Sequence, residues 1–561
     1  MSNKKSSALV FSLLCSCALA LLVALPPSGA AHDGDKHIGE GGNGQPGGQP
    51  LSALGFTPCV NGMAATFPCR NVDLASFLPL ASIGGGTGND VWGWTDPATN
   101  KEYALMGRSS GTAFVDISDA ENPVYLGNLP THSVDSVWRS IKVYANHAFI
   151  VSEAANHGMQ VFDLTRLRNL PSPAPVTFTE TAHYNGFSRA HTITINERTG
   201  FAYANGVTAY ADAAANKCAR GLHMIDVRNP VQPVFAGCFD ADGYTHDSQC
   251  VTYNGPDADY RNREICFNSN EDTLTIVDVT DKKSPRQLSR TIYDGSAYTH
   301  QGWLTDDHSL FLVDDELDEQ KLKTKTRTHI FNVSDLDAPS ITGFHEGTTT
   351  AIDHNLYILG RYAYQSNYRS GLRVLDISQA ATATLQEVGY FDVYPADDLP
   401  NFNGTWSNYP FFKSGVVIVS GIEQGLFMLR PKTDFAQTPQ LLTEWNSTRA
   451  IALESVTRMR EPFAVKSTQN FSADGRTRVV LFAANVNLAP GEPQTVVKAQ
   501  AEDAAQRIYP LAVEHVGKVP DYERVTQVVV VLPDELANAG DVSVSISLRG
   551  TPGNKALIRI Q

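Results

Sequence analysis

Positive charge is scarce in this chain. Its 561 residues carry 44 Lys and Arg against 59 Asp and Glu, a net charge of −15 with a pI near 5.4. A surface of that sign repels polyanions, which excludes nucleic acid and anionic membrane surfaces as partners. After the N-terminal segment no apolar run is long enough to cross a bilayer, so no transmembrane segment is expected after signal cleavage. GxSxG, HExxH, Walker and dinucleotide-binding fingerprints are all missing, and the enzyme classes they carry have no support. No two cysteines stand in CxxC spacing, which weighs against a thiolate zinc site.

What the chain does have is a repeat. An apolar pair running into a polar turn, usually with a proline after it, recurs as FVDISDAENP (114–123), VFDLTRLRNLP (161–171), MIDVRNPVQP (224–233), IVDVTDKKSP (276–285), IFNVSDLDAP (330–339), VLDISQAAT (374–382) and, degenerate, LFMLRPKTD (426–434). The apolar run predicts a strand. The Asp or Asn at its end can bond its own backbone and start a turn, and the proline presets φ as the next strand begins. Another short strand is expected after each copy (VYLGNL, VTFTET, VFAGCF, RQLSRTI, SITGFH, LQEVGYF) and two before it. Four strands repeating every 40 to 50 residues or so mark a β-propeller blade, and the register predicts seven blades. The seventh lacks a fourth strand of its own. DLASFLPLAS (73–82) has the character of that strand and is expected to close the ring from the N-terminal side.

Residues 1–30 read as a secretory signal peptide: Lys4 and Lys5, an apolar stretch over Ala8–Leu25, then Ser28-Gly29-Ala30. Cys15 and Cys17 lie inside the apolar stretch rather than at its end, which argues against a lipid anchor. Residues 31–50 are a Gly-rich, polar leader expected to be flexible. The propeller is expected over 51–431, a linker over 432–461, and about seven short alternating strands over 462–561, which suggest a small Ig-like β-sandwich. The fold class is therefore all-β. Six cysteines remain after cleavage, and an even number in an exported chain argues for disulfides. Sequence proximity suggests Cys59–Cys69, Cys218–Cys238 and Cys250–Cys266.

Residues 50–430 resemble the bacterial LVIVD-repeat proteins, in particular the choice-of-anchor B family. The resemblance rests on the repeats together with YTHQGWLTDDHSLFLVDDELDE (298–319) and AIDHNLYILGRYAYQSNYRSGLRVLDIS (351–378). It implies an exported propeller and no particular activity. Members of that family differ in their C-terminal anchoring signals. This chain has instead a tail similar to Ig-like modules of secreted bacterial proteins.

In a propeller the first strand of each blade lines the central channel, so residues that open those strands gather at one mouth. Aligning the blades puts Arg139, His191, His246 and His300 at equivalent positions, with Asp353-His354 within a residue of the same place. Blade seven offers Trp406-Ser407 there, and blade one Asp90 and Trp92. His191, His246 and His300 with a carboxylate from Asp247 would suit zinc, iron or copper, with Asp353 as an alternative fourth ligand or outer partner. The plainer reading is that these histidines satisfy backbone groups in a wet channel. The acidic run from Asp314 to Glu319 is a candidate for calcium, although it lacks the spacing of a calcium loop, and a solvated loop is the favoured reading. Tyr368 and Arg369 either hold a ligand or pack and pair within blade six.

Three functional readings are open. The first is an exported binding module, secreted, periplasmic or at the cell surface, whose polar mouth meets a protein or glycan. The second is a metal-dependent hydrolase or oxidoreductase using the channel histidines. The third is a purely structural surface protein. Fold alone does not choose among them.

Overall fold

In a computed structural model of the chain, the repeat forms the third strand of every blade, and its terminal Asp or Asn makes the turn. The carboxylate or amide oxygen of Asp116, Asp163, Asp226, Asp278, Asn332 and Asp376 accepts from the backbone N–H two residues on, at 2.9 to 3.1 Å. One local hydrogen bond, repeated six times, sets the same corner in six blades. The structure describes residues 51–561 apart from 171–172, 209–217, 219, 433–438, 445–446, 468, 470–471, 487, 489–492 and 521. The expected signal peptide and leader therefore lie outside the described residues. The chain divides into two compact units at Lys432/Thr433.

The first unit is a seven-bladed β-propeller, each blade built on four antiparallel strands. The inner strands are Gly88–Thr95, Arg139–Tyr144, Thr192–Asn196, Asp247–Thr252, Thr299–Leu304, Asn355–Leu359 and Thr405–Tyr409. Each abuts the next, and the last abuts the first, which completes the ring. Val72–Pro79 pairs antiparallel with Gly425–Pro431 and supplies the fourth strand of blade seven. The rest of the expected closing segment, Leu80–Ile83, turns into a 3-10 helix. Phe67–Arg70 extends blade six by pairing with Thr384–Phe391. Blade-to-blade packing is apolar: Phe114 stacks on Phe162, and Phe267 on Phe311.

The second blade departs from expectation. Val176–Thr177, read as the start of its outer strand, pairs in parallel with the outer strand of blade one, at Gly127 and Asn128. Ala182–Tyr184 takes the vacated edge of blade two instead. Gly127 makes room for this: a Cβ there would stand 2.0 Å from the Val176 carbonyl oxygen. All three expected disulfides form. Cys59–Cys69 ties down the N-terminal segment, while Cys250 and Cys266 face each other across neighbouring strands of blade four.

The second unit is two β-sheets around one core of Val479, Leu481, Val528, Val530, Val544, Ile546 and Ile558. Ile508–Val519 belongs to both sheets, pairing with Val497–Glu502 at one end and Tyr522–Val531 at the other. Two corrections arise here. Gln440–Leu441 and Ala452–Glu454, inside the expected linker, are strands paired with Arg478–Ala484. The stretch from 462, expected as a strand, contributes single bridges, Phe463 to Ile560 and Lys466 to Arg476. No helix among the described residues is long and apolar enough to cross a membrane.

Candidate metal centre in the propeller channel

Because His191, His246 and His354 immediately precede inner strands and His300 is the second residue of one, the four imidazoles meet at one level of the channel. Ring centroids are 4.2 Å apart from His191 to His246, 4.2 Å from His246 to His300, and 4.4 Å from His300 to His354. Trp406 continues the arc, edge-on to His354 at 5.2 Å. The rings are oriented by the backbone of the following blade. His246 Nδ1 donates to the His300 carbonyl at 3.0 Å, His300 Nδ1 to the His354 carbonyl at 2.9 Å, and His354 Nδ1 to the Trp406 carbonyl at 2.6 Å. The plainer reading thus describes one nitrogen of these rings. With Nδ1 protonated and the ring neutral, Nε2 carries the lone pair.

At two of the rings that lone pair meets a carboxylate. Glu316 lies 3.8 Å from His300 Nε2 and 3.7 Å from His354 Nε2, and one donor atom from each of the three residues lies within 4.8 Å of the others. These separations are too long for hydrogen bonds. They suit ligands around an ion, since metal–nitrogen and metal–oxygen bonds run to about 2.0–2.2 Å. All three side chains are buried. Burial, and then the neighbouring imidazoles, hold His300 well below the usual histidine range, and burial pushes His354 down to about 3. Burial also pushes Glu316 up to about 8. Both imidazoles are therefore neutral at pH 7, and the carboxyl lacks the positive neighbour that would hold it ionised.

Glu316 reaches the mouth because it follows Leu310–Asp315, which runs antiparallel to the inner strand of blade five; its N–H donates to the Tyr298 carbonyl at 3.1 Å. Tyr368, at φ 26°, donates its hydroxyl to Glu316 Oε1 at 2.9 Å and lays its ring 4.5 Å from His354. Arg369 turns away to Asp397, at 2.6 Å.

Other expected members go elsewhere. Arg139 lines the channel, but its guanidinium is taken by the Arg108 carbonyl, Thr131 Oγ1 and His157 Nε2 at 2.9 to 3.2 Å. His191 donates to Glu153 at 2.6 Å. Asp247 lines the same small cavity but stands apart from the His300–His354–Glu316 group; burial pushes its carboxyl up to about 6 despite Lys142 and His191. Asp353 is fully buried and faces Glu319, Asp314 and Asp318 rather than the channel, because neighbours in extended backbone point to opposite sides. The run from Asp314 to Glu319 is not a solvated loop: its five carboxylates are each at most 1% exposed.

The cavity beside the histidines is about 30 Å³. The far end of the channel is different. Trp92, Trp303, Tyr409 and Phe411 line a cavity of about 510 Å³ with Lys142, Glu197, Arg198 and Gln249 around them. Asp90 stays at the histidine end, whereas Trp92, two residues along the same strand, belongs to this aromatic layer. Lys142 borders both cavities, with Nζ 3.4 Å from Asp90 and 4.2 Å from the Trp92 ring.

A family model described as the LVIVD repeat matches residues 354–390, which run through the four strands of blade six. That match and the seven-bladed ring fit the LVIVD-repeat family. No curated protein matches the chain. Similar solved structures include a protein from Lactobacillus plantarum, at 12% identity over 60% of this chain and 87% of that one, TM-score 0.38. Another is a functionally unknown protein from Desulfotomaculum acetoxidans, at 12% identity over 56% and 88%, TM-score 0.37. A third is the periplasmic gluconolactonase of Pseudomonas aeruginosa, at 10% identity over 61% and 100%, TM-score 0.38.

Proposed function

We propose that the protein is an exported propeller that holds a transition metal at one mouth of its channel through His300, His354 and Glu316. The observation that carries this reading is the convergence of three buried donors, two of them imidazoles whose Nδ1 atoms are engaged by backbone carbonyls. Two imidazoles and a carboxylate suit zinc, iron or copper and leave further positions for water or a small ligand. A cavity of about 30 Å³ beside them has room for such a ligand and not for an organic ring. Metal-dependent hydrolysis or oxidation rests on the same centre. Export rests on the signal peptide expected over 1–30 and agrees with three disulfides. Membership of the choice-of-anchor B family and an Ig-like character for the C-terminal sheets belong to this same proposal.

Metal analysis of protein purified without an affinity tag tests the centre. About one equivalent of zinc, iron or copper is expected, falling to background in the His300→Ala/His354→Ala variant. Protein that holds none and takes up none when offered the three ions would overturn it.

The aromatic cavity favours a second role, as a binding module for a glycan. Its volume of about 510 Å³ falls in the range of small-ligand sites, about 300–1,000 Å³. Trp303 and Phe411 offer flat apolar faces for sugar rings, and Glu197, Arg198 and Gln249 offer hydrogen bonds to hydroxyls.

A further inference from the structure

Between blades five and six the fold buries more negative charge than it neutralises. Asp314 lies in the second strand of blade five, Asp318 and Glu319 open the short helix Asp318–Leu322 beyond it, and Asp353 leads into blade six. Each is at most 1% exposed. Their charges bear on one another, Asp318 on Glu319 and Glu319, Asp314 and Asp318 on Asp353, and Glu319 Oε1 accepts from the Asp353 N–H at 3.3 Å. Arg327, on the adjoining strand, directs its Nη2 to Glu346 at 3.3 Å, and it is the cation whose charge bears on Asp318 and His329.

Few hydrogen bonds compensate such burial: besides the bond to Glu319 Oε1, Gln365 Nε2 donates to Asp314 Oδ1 at 3.2 Å. Neither carboxylate oxygen of Asp353 or of Asp318 has a hydrogen-bond partner, nor has Asp314 Oδ2 or Glu319 Oε2. A second observation comes from a different strand. His329 is 2% exposed, neither of its ring nitrogens is hydrogen-bonded, and its Nε2 points to Asp318 Oδ2 at 4.0 Å. Unpaired buried carboxylates are among the most costly groups a fold can hold, and they persist where they pair or bind metal. Here four buried carboxylates and an imidazole on adjoining elements leave most of their lone pairs unused.

We propose that Asp314, Asp318, Glu319 and Asp353 form a second cation site, for calcium, with His329 as the outer partner of Asp318. Hard carboxylate oxygens suit a hard divalent ion, and a ring nitrogen beside a ligating carboxylate orients it. The site is distinct from the channel centre. Glu316 turns to the imidazoles, whereas the charges that bear on Asp353 are those of Glu319, Asp314, Asp318 and Asp315. An ion there would pin the helix Asp318–Leu322, and with it Glu316 two residues upstream, against blade six.

The test uses the full chain, treated with EGTA and then titrated with calcium chloride alone, read by melting temperature and by calorimetry. One calcium per chain and a melting temperature higher by several degrees are expected. In Asp353→Asn and Asp318→Asn binding should weaken at least about tenfold. The His300→Ala/His354→Ala variant should keep its calcium response, which separates this site from the channel centre. If millimolar calcium leaves the wild-type melting temperature unchanged and no binding heat appears, the proposal fails and the cluster is held by shared protons. It fails equally if manganese binds and calcium does not, or if both Asn variants bind calcium as the wild type does. The wild-type titration decides the matter even where a variant does not fold.

Discussion

The two ends of the propeller channel are built on the same seven strands and could hardly be more different. At one end four imidazoles line a cavity of about 30 Å³, with Glu316 beside two of them; at the other, four aromatic side chains open onto about 510 Å³. The narrow end is defined by hydrogen bonds from three of its rings, His246, His300 and His354, to the next blade's backbone, so its geometry is repeated and rigid. The wide end is defined by ring contacts such as Trp92 on Tyr409 at 5.0 Å and Trp303 on Tyr357 at 5.1 Å, which allow shape to vary. A propeller can thus keep an ion-sized site and a ring-sized site on one axis. Lys142 borders both and pairs with Asp90 between them.

The largest effect is expected at the wide end. Trp92→Ala removes a side chain that packs on Tyr357, Tyr409 and Lys142. It should cost about 3–5 kcal/mol of stability by denaturant melt while metal content per folded chain stays at the wild-type level. A parallel loss of metal would show that the two ends are one site.

Acidity separates two carboxylates of the same ring, half-buried Asp247 and buried Asp96, with opposite signs. Asp247, at the narrow end, has its pKa raised to about 6 by burial, so the folded state holds the proton more tightly than the unfolded chain. Its ionisation lowers stability as pH rises from about 4 through 6, and Asp247→Asn should recover on the order of 2–3 kcal/mol above that window and nothing below it. Asp96 is held down to about 2 by its hydrogen bonds and ion pair with Arg168. Its contribution is present above the unfolded pKa of about 4 and lost as pH falls through 2; Arg168→Ala should cost on the order of 2 kcal/mol at pH 7 and progressively less toward pH 2. Melting temperatures across pH 2 to 8 check both, and a profile of the same sign for the two variants would refute the assignment.

The smallest effect sharpens the narrow end itself. Tyr368→Phe deletes one hydrogen bond to Glu316 and leaves the ring on His354. Metal affinity should fall about tenfold with little change in melting temperature. An unchanged affinity would mean that Tyr368 does not orient the carboxylate.

Much of this was legible in the sequence because it is periodic. The repeat marks the third strand, the third strand sets the register, and the register brings His191, His246, His300 and His354 to one level. Glu316 was visible only as part of an acidic run. It reaches the histidines by arriving on the second strand from the opposite direction, and no spacing in sequence announces that. The aromatic layer is likewise scattered over blades one, five and seven, with no common motif around Trp92, Trp303 and Phe411.

What the chain alone determined is local or repetitive: the corner made by an Asp oxygen and the amide two residues on, the alternation of strands, the pairing of cysteines close in sequence. Those depend on residues within a turn or a hairpin of one another. Tertiary structure alone decided that Val176–Thr177 crosses to blade one, that Asp353 turns from the channel into the junction of blades five and six, and that the acidic run is buried. Each of these is a choice between two faces or two edges that a strand offers equally, and only the neighbouring blade can make it.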